Sequence, residues 1–243
     1  MILKSTHKAN PYTSAVRFER TATGRCQKEG SFMHKKYAIH HPELVAIESD
    51  EGKICFGGKE EWLDRIGRGN LRGGAITAAE LLSYLAATRS TLHDFYPPLT
   101  QRSQQEFMGM VNEVIDFFVP SRDRQLSLAA FVEGVTAFAN HSGHHLEVTA
   151  LDIPDDVTKR PSADRCLGFI DDAMEKDAPV AFLRRTVDGD GSVNCQWRLI
   201  VERMGNYVVL ADNGLQGKLE FRLWYDTARL GGALVFAARH PLS

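Results

Sequence analysis

The sequence predicts an α+β protein in which one buried helix packs on an antiparallel β-sheet. Up to about residue 176 the longest apolar patterns recur at three and four residues, as on helix faces, and from Pro179 onward they shorten into β-like runs separated by turns. The helix that matters most carries Ala75, Ile76, Ala78, Ala79, Leu81, Leu82, Leu85 and Ala86. These cover too many faces for a surface helix, so it belongs in the middle of the core.

The elements follow in order. Short β-like runs at Ala15 to Arg20, Glu43 to Glu48 and Lys53 to Phe56 fill the first part of the chain, and Asp50-Glu51-Gly52 is turn chemistry that makes a hairpin of residues 43 to 57. The approach Gly69-Asn70-Leu71-Arg72-Gly73-Gly74 then delivers the chain to the N-terminus of the central helix. Unpaired N–H groups and the helix dipole favour negative charge there, so the junction suits an anion, a thiolate or an oxyanion.

Pro97-Pro98 closes the next loop, and two amphipathic helices follow, Gln101 to Phe118 and Leu126 to Ala139, both expected to pack on the central one. Asn140-His141-Ser142-Gly143 stops the second, and His144 to Leu151 alternates like a strand. Ser162 is an N-cap opening a further helix that Lys176-Asp177 ends. Strands are expected at 179–183, 195–201, 206–211, 218–223 and 233–237, with a helical piece from Trp224 to Leu230 before Gly231-Gly232. The expected partition is an N-terminal β extension over residues 1–56 and one α+β domain over 57–243.

Composition bounds the function. A net charge of -2 on 243 residues gives no broad electrostatic reason to expect nucleic acid or an anionic membrane surface as partner. No stretch approaches the ~20 apolar residues of a membrane span, so a cytoplasmic protein is expected. Cys26, Cys55, Cys166 and Cys195 lack CxxC spacing. They read as thiols rather than as a zinc knuckle or disulfide framework. His34, His40 and His41 lack a recognisable ligand spacing, and His141, His144 and His145 fall on a helix-stop turn where polar residues belong in any case, so no metal and no cofactor are expected.

The hairpin between 195 and 213 repays counting. If Met204-Gly205 are its central turn residues, Gln196 falls opposite Asn213, and a one-residue change of register puts it opposite Asp212. A papain-type site needs a cysteine at the N-terminus of a central helix, a histidine on a facing strand, an Asp or Asn beside it and an oxyanion donor upstream. Helix first and hairpin later is the layout found here.

On the stretches Gly74-Ala75-Ile76-Thr77-Ala78-Ala79-Glu80, Gln196-Trp197-Arg198-Leu199-Ile200-Val201 and Asp212-Asn213-Gly214, the chain resembles the bacterial C39-like, papain-fold cysteine peptidase group. That group shows a Cys-Gly-Pro-Thr-Ala-Ala helix start, a His-Trp strand and a later Asp-Asn-Gly. The likeness spans roughly residues 54 to 236. It implies a papain-like (cysteine proteinase) fold.

The departures govern what the resemblance implies for activity. Gly74 stands at the cysteine position, Gln196 at the histidine position and Glu60 at the oxyanion glutamine, whose carboxylate cannot donate unless protonated. Asp212 alone keeps a family-like identity. Matching the tryptophan differently would put Arg198 at the histidine position, and it cannot serve as a base either. The implied protein is a catalytically degenerate peptidase homologue that holds a peptide or protein segment in the former cleft, with no nucleic acid or membrane as partner. The alternative is an active thiol hydrolase or transferase with a relocated nucleophile such as Cys195; a plain interaction module also remains open.

Overall fold

The computed structural model describes residues 35–63, 71–93, 102–118, 126–187, 189 and 191–239. The β-run at 15–20, Cys26, His34, Gly69-Asn70 and Pro97-Pro98 lie outside the described residues. Within them the chain is α+β, with an antiparallel sheet and five helices.

The strands are β1 (Lys36–Ala38), β2 (Ala46–Glu48), β3 (Ile54–Phe56), β4 (Leu146–Ile153), β5 (Val180–Val187), β6 (Val193–Met204), β7 (Tyr207–Asp212), β8 (Leu215–Glu220) and β9 (Gly232–Arg239). The α-helices are α1 (Arg72–Thr88), α2 (Gln104–Ile115), α3 (Leu128–His141), α4 (Ala163–Glu175) and α5 (Phe221–Thr227). The main sheet runs β4-β9-β5-β6-β7-β8, and β2 pairs separately with β3.

The long strand β6 organises the sheet. Its residues 193–200 pair with β5, while β1 pairs with its end at 202–204. Ile39 continues that edge by donating its N–H to Val201 O at 3.1 Å.

Helix α1 is buried from Gly74 through Ala86 without a break, as its all-round apolar pattern requires. Helices α2 and α3 both contact it. Ser103, Ser127 and Ser162 cap α2, α3 and α4, each accepting a backbone N–H with its side chain. An aromatic column fastens the helices to the sheet. Phe118 stacks on Phe131 at 5.8 Å between centroids, Phe131 stacks on Trp197 at 4.0 Å, and the Trp197 indole donates to Leu126 O at 3.0 Å. Each such ring pair is worth about 1 kcal/mol beyond the area it buries.

Three expectations shift. Residues 42–45 form a 3-10 turn opened by Pro42, so the N-terminal hairpin keeps only its inner pairs, 46–48 against 54–56. The strand expected at 218–223 is β8 at 215–220, and the helical piece begins at Phe221 instead of Trp224. Buried Phe221 and its neighbour Trp224 both pack on Phe182, which needs the i, i+3 spacing of a helix. The third shift is the β6–β7 register. The turn residues are Gly205-Asn206, with Met204 opposite Tyr207, and a bulge between Ile200 and Glu202 moves the pairing by one, to Ile200 opposite Leu210.

The far end of α1 is tied down by Asp177, a buried residue with φ +51° just past α4. Its carboxylate accepts from the Tyr84 hydroxyl at 2.5 Å, the His40 N–H at 2.7 Å and Arg89 Nη1 at 3.0 Å. Arg89 also donates to the carbonyls of Lys176 and Asp177. Asp177→Ala takes the carboxylate acceptor from the buried Tyr84 hydroxyl, the His40 N–H and Arg89 Nη1 at once, at a cost of about 3 kcal/mol. Chemical denaturation checks the cost, and hydrogen exchange faster at residues 39–41 than in β9 checks the location.

Candidate functional site

Helix α1 begins after Leu71, whose side chain makes no capping hydrogen bond. Facing its first turn is Glu60, in the short 3-10 turn Glu60–Trp62, whose N–H donates to Asn213 Oδ1 at 2.8 Å. Asn213-Gly214 makes the two-residue turn between β7 and β8, with φ of +51° and +83°. That is the type I′ chemistry an Asn-Gly pair favours, and it sets Asp212 at the end of its strand. Gly214 O in turn accepts the Phe56 N–H at 2.9 Å, joining β3 to the same corner.

Into this corner β6 projects Arg198. Its Nε donates to Asp212 Oδ1, and its Nη1 donates to Glu60 Oε1 at 3.1 Å and to Trp197 O at 2.7 Å. The guanidinium side chain is 14% exposed and its two carboxylate partners about 40%. One cation thus holds two acids that would otherwise repel each other. The Glu60 carboxylate also lies where the dipole of α1 favours negative charge, so the anion-friendly helix start has an internal occupant.

The four positions singled out by the sequence divide. Glu60 and Asp212 meet through Arg198. Gln196 does not join them: its Oε1 accepts from Arg184 Nη2 at 3.1 Å, further along the sheet. The bulge and the turn one residue later explain this, since with Leu199 opposite Ala211 the next pair outward is Arg198 with Asp212. At the helix start, a Cβ on Gly74 would overlap the side chain of Leu126 and come within 3.3 Å of Trp197, on the core side. A Cβ on Gly73 would lie 3.0 Å from Glu60 Oε1 and 3.7 Å from Arg198 Nη1. Position 73, one residue before the one the family motif selects, is therefore the one that looks into the corner. The role of Arg198 depends on the bulge, which nothing in the sequence marks.

Between Gly58, Gly73, Thr77, Glu80, Trp197 and Arg198 a cavity of about 10 Å³ remains. That is room for about one water. Glu80, buried on α1, accepts the Gly58 N–H at 2.8 Å. Burial pushes its carboxyl from 4.5 up to about 8, against the opposing pull of that hydrogen bond and of Arg198.

The other candidates lie apart. Cys195 is on the Trp197 face of β6 and packs against the core, while Cys166 is buried, with its thiol pushed up to about 11 by desolvation. His40 sits at Asp177, His41 against Glu43, and His145 against Asn140. Among the described residues no group of three or more His, Cys, Asp or Glu side chains is placed to hold a metal ion, and no helix is long and apolar enough to cross a membrane.

No protein-family model matches the chain, and no curated protein matches it. Among solved structures, that of the Pseudomonas avirulence protein AvrPphB aligns over 69% of this chain and 93% of its own, with 12% identity and a TM-score of 0.33. A likeness of that size carries no conclusion about the site.

Two predictions come from this corner. Gly74→Ala forces Leu126 out of place and costs about 1–3 kcal/mol, whereas Gly73→Ala asks only a few tenths of an ångström of the Glu60 side chain and recovers the helix propensity that glycine lacks. Paired urea melts check it; equal costs would mean that the two glycines face alike.

The second concerns pH. Glu80 binds its proton more tightly folded than unfolded, so its stabilising contribution is complete below pH 4.5 and is lost as pH rises toward about 8. Glu80→Gln keeps an acceptor for Gly58 and has no proton to lose. The melting temperature of this variant relative to the unsubstituted protein should climb between pH 5 and about pH 8 and then level off, by scanning calorimetry; a flat difference throughout would count against a protonated Glu80.

Proposed function

We propose that this chain has a papain-like fold of the C39-like kind without a working thiol dyad, and that it acts by binding a peptide or protein segment rather than by turnover. The observation that carries the reading is Arg198, seated beside the start of α1 and bonded to Asp212, where a papain-type site would keep a histidine beside its orienting acid. A guanidinium keeps its protons at any working pH and cannot act as the base. Gly73, at the place from which a thiol would face it, has no side chain.

In this reading the dyad positions are Gly73 and Arg198, in place of Gly74 and Gln196, and Glu60 stands where the oxyanion donor would be. Losing the nucleophile or the base of such a unit costs about 10⁶ in turnover. The space left beside Arg198 admits a water but no side chain, so a bound segment would lie across the rim formed by Glu60, Asn213 and Arg198.

Rebuilding the dyad tests it. The triple variant Glu60→Gln, Gly73→Cys, Arg198→His should acquire at position 73 a thiol that iodoacetamide alkylates well below pH 8, the helix end and the new imidazole both lowering its pKa. The unsubstituted protein should show no thiol reacting faster than glutathione. Rapid stoichiometric labelling of Cys195 in that protein would instead favour the relocated-nucleophile reading. For the binding half, peptides selected on an array should lose affinity for Arg198→Ala; indifference to that change would remove the rim from consideration.

A further inference from the structure

At the opposite end of the β6–β7 hairpin lies a larger concavity, about 430 Å³, in the size range of small-molecule sites. Its lining contains Lys35, Arg203, Lys218 and Arg222, and none of the described residues lining it is a carboxylate. The whole chain carries a net charge of -2, and four of its cations gather around this one hollow. Three of them are anchored from outside: Lys35 by Glu175 at 3.3 Å, Arg203 by Asp171 at 3.4 Å and Arg222 by Asp164. These acids offset three of the four charges and are not among the residues lining the hollow. Lys218 has no carboxylate within 4 Å among the described residues; its ammonium lies 4.4 Å from the centre of the Tyr207 ring.

Arg203 Nε lies 3.4 Å from Asp171 Oδ1 and neither of these buried atoms has a hydrogen-bond partner, so that edge of the guanidinium is turned to its acid. Tyr207 and Met204, 44% and 42% exposed, supply a ring and a thioether at the same mouth. Fixed cations suit phosphoryl oxygens, which arginine can grip in pairs. An exposed ring suits the face of a base.

We propose that this hollow binds a mononucleotide, its phosphates held by Lys218, Arg203 and Arg222 and its base against Tyr207. Lys35 closes the phosphate end. Tyr207 and Asp212 are five steps apart along β7, about 17 Å, so this site stands or falls apart from the Arg198 corner.

Isothermal titration of the full chain with ATP, tripolyphosphate and adenosine tests it. ATP should bind more tightly than either fragment, with an affinity that falls as salt is raised. Lys218→Glu, a surface change, should weaken ATP and tripolyphosphate by about tenfold or more. Tyr207→Ala should weaken ATP while leaving tripolyphosphate unchanged, which separates the ring from the charges. Circular dichroism melts of both variants confirm that they fold. Absence of ATP binding at millimolar concentration would overturn the proposal, as would ATP binding untouched by either substitution. Tripolyphosphate binding as tightly as ATP would overturn the nucleotide assignment in favour of a plain polyanion site.

Discussion

A helix buried on every side must find partners for each polar group it carries, and much of this molecule can be understood from how α1 does so. Thr77, Glu80 and Ser83 lie inside the protein along with the helix's alanines and leucines. The Ser83 hydroxyl returns to the Glu80 carbonyl on its own helix. Glu80 captures a backbone N–H from Gly58, and Tyr84 reaches Asp177. Each of these last two solutions draws in segments distant in sequence: the stretch after β3, the loop past α4, the strand edge at His40. Burying one unpaired polar group costs about 1–3 kcal/mol, so these segments are bound to the helix as firmly as its apolar neighbours are.

The same logic shapes the two ends of α1. The C-terminal end is closed by Arg89 and Asp177, with backbone carbonyls accepting from the guanidinium. At the N-terminal end Glu60, which Arg198 holds in place together with Asp212, sets a carboxylate beside Gly73 in the first turn, where the helix dipole favours negative charge. The Arg198 corner is on this view a structural solution first, whatever else it contributes.

Legibility in the sequence tracks the strength of local signals. All-round apolar α1, the Ser162 cap of α4 and the hairpin turn at residues 50–52 are readable because helix periodicity, N-cap chemistry and turn chemistry are local, whereas α2 and α3 begin two or three residues later than expected, after Ser103 and Ser127. The meeting of Glu60 with the hairpin is half readable: the acid and Asp212 stand out in the sequence, while the residue that joins them gives way there to Gln196. Cross-strand pairing accumulates error from turn to tip. The turn begins one residue later than counting places it, and the bulge at Val201 moves the ladder again. Bulges leave no dependable mark in sequence, and neither does the overlap with Leu126 that turns Gly74 toward the core while Gly73 faces outward.

The strand order has a consequence for how the chain reaches this state. β9, which follows every other strand in the sequence, is inserted between β4 and β5 and pairs with both. Until it arrives, β4 and β5 are each an open edge, and among the described residues β4 has no other strand beside it. Its partner lies about eighty residues away, a separation that slows folding because the closure entropy precedes the reward. During synthesis the helices and the β5–β8 meander can assemble early, while the strand that closes the sheet emerges after them. Chains interrupted before Gly232 would expose two apolar strand edges at once, the condition under which strands pair with neighbours instead of with themselves.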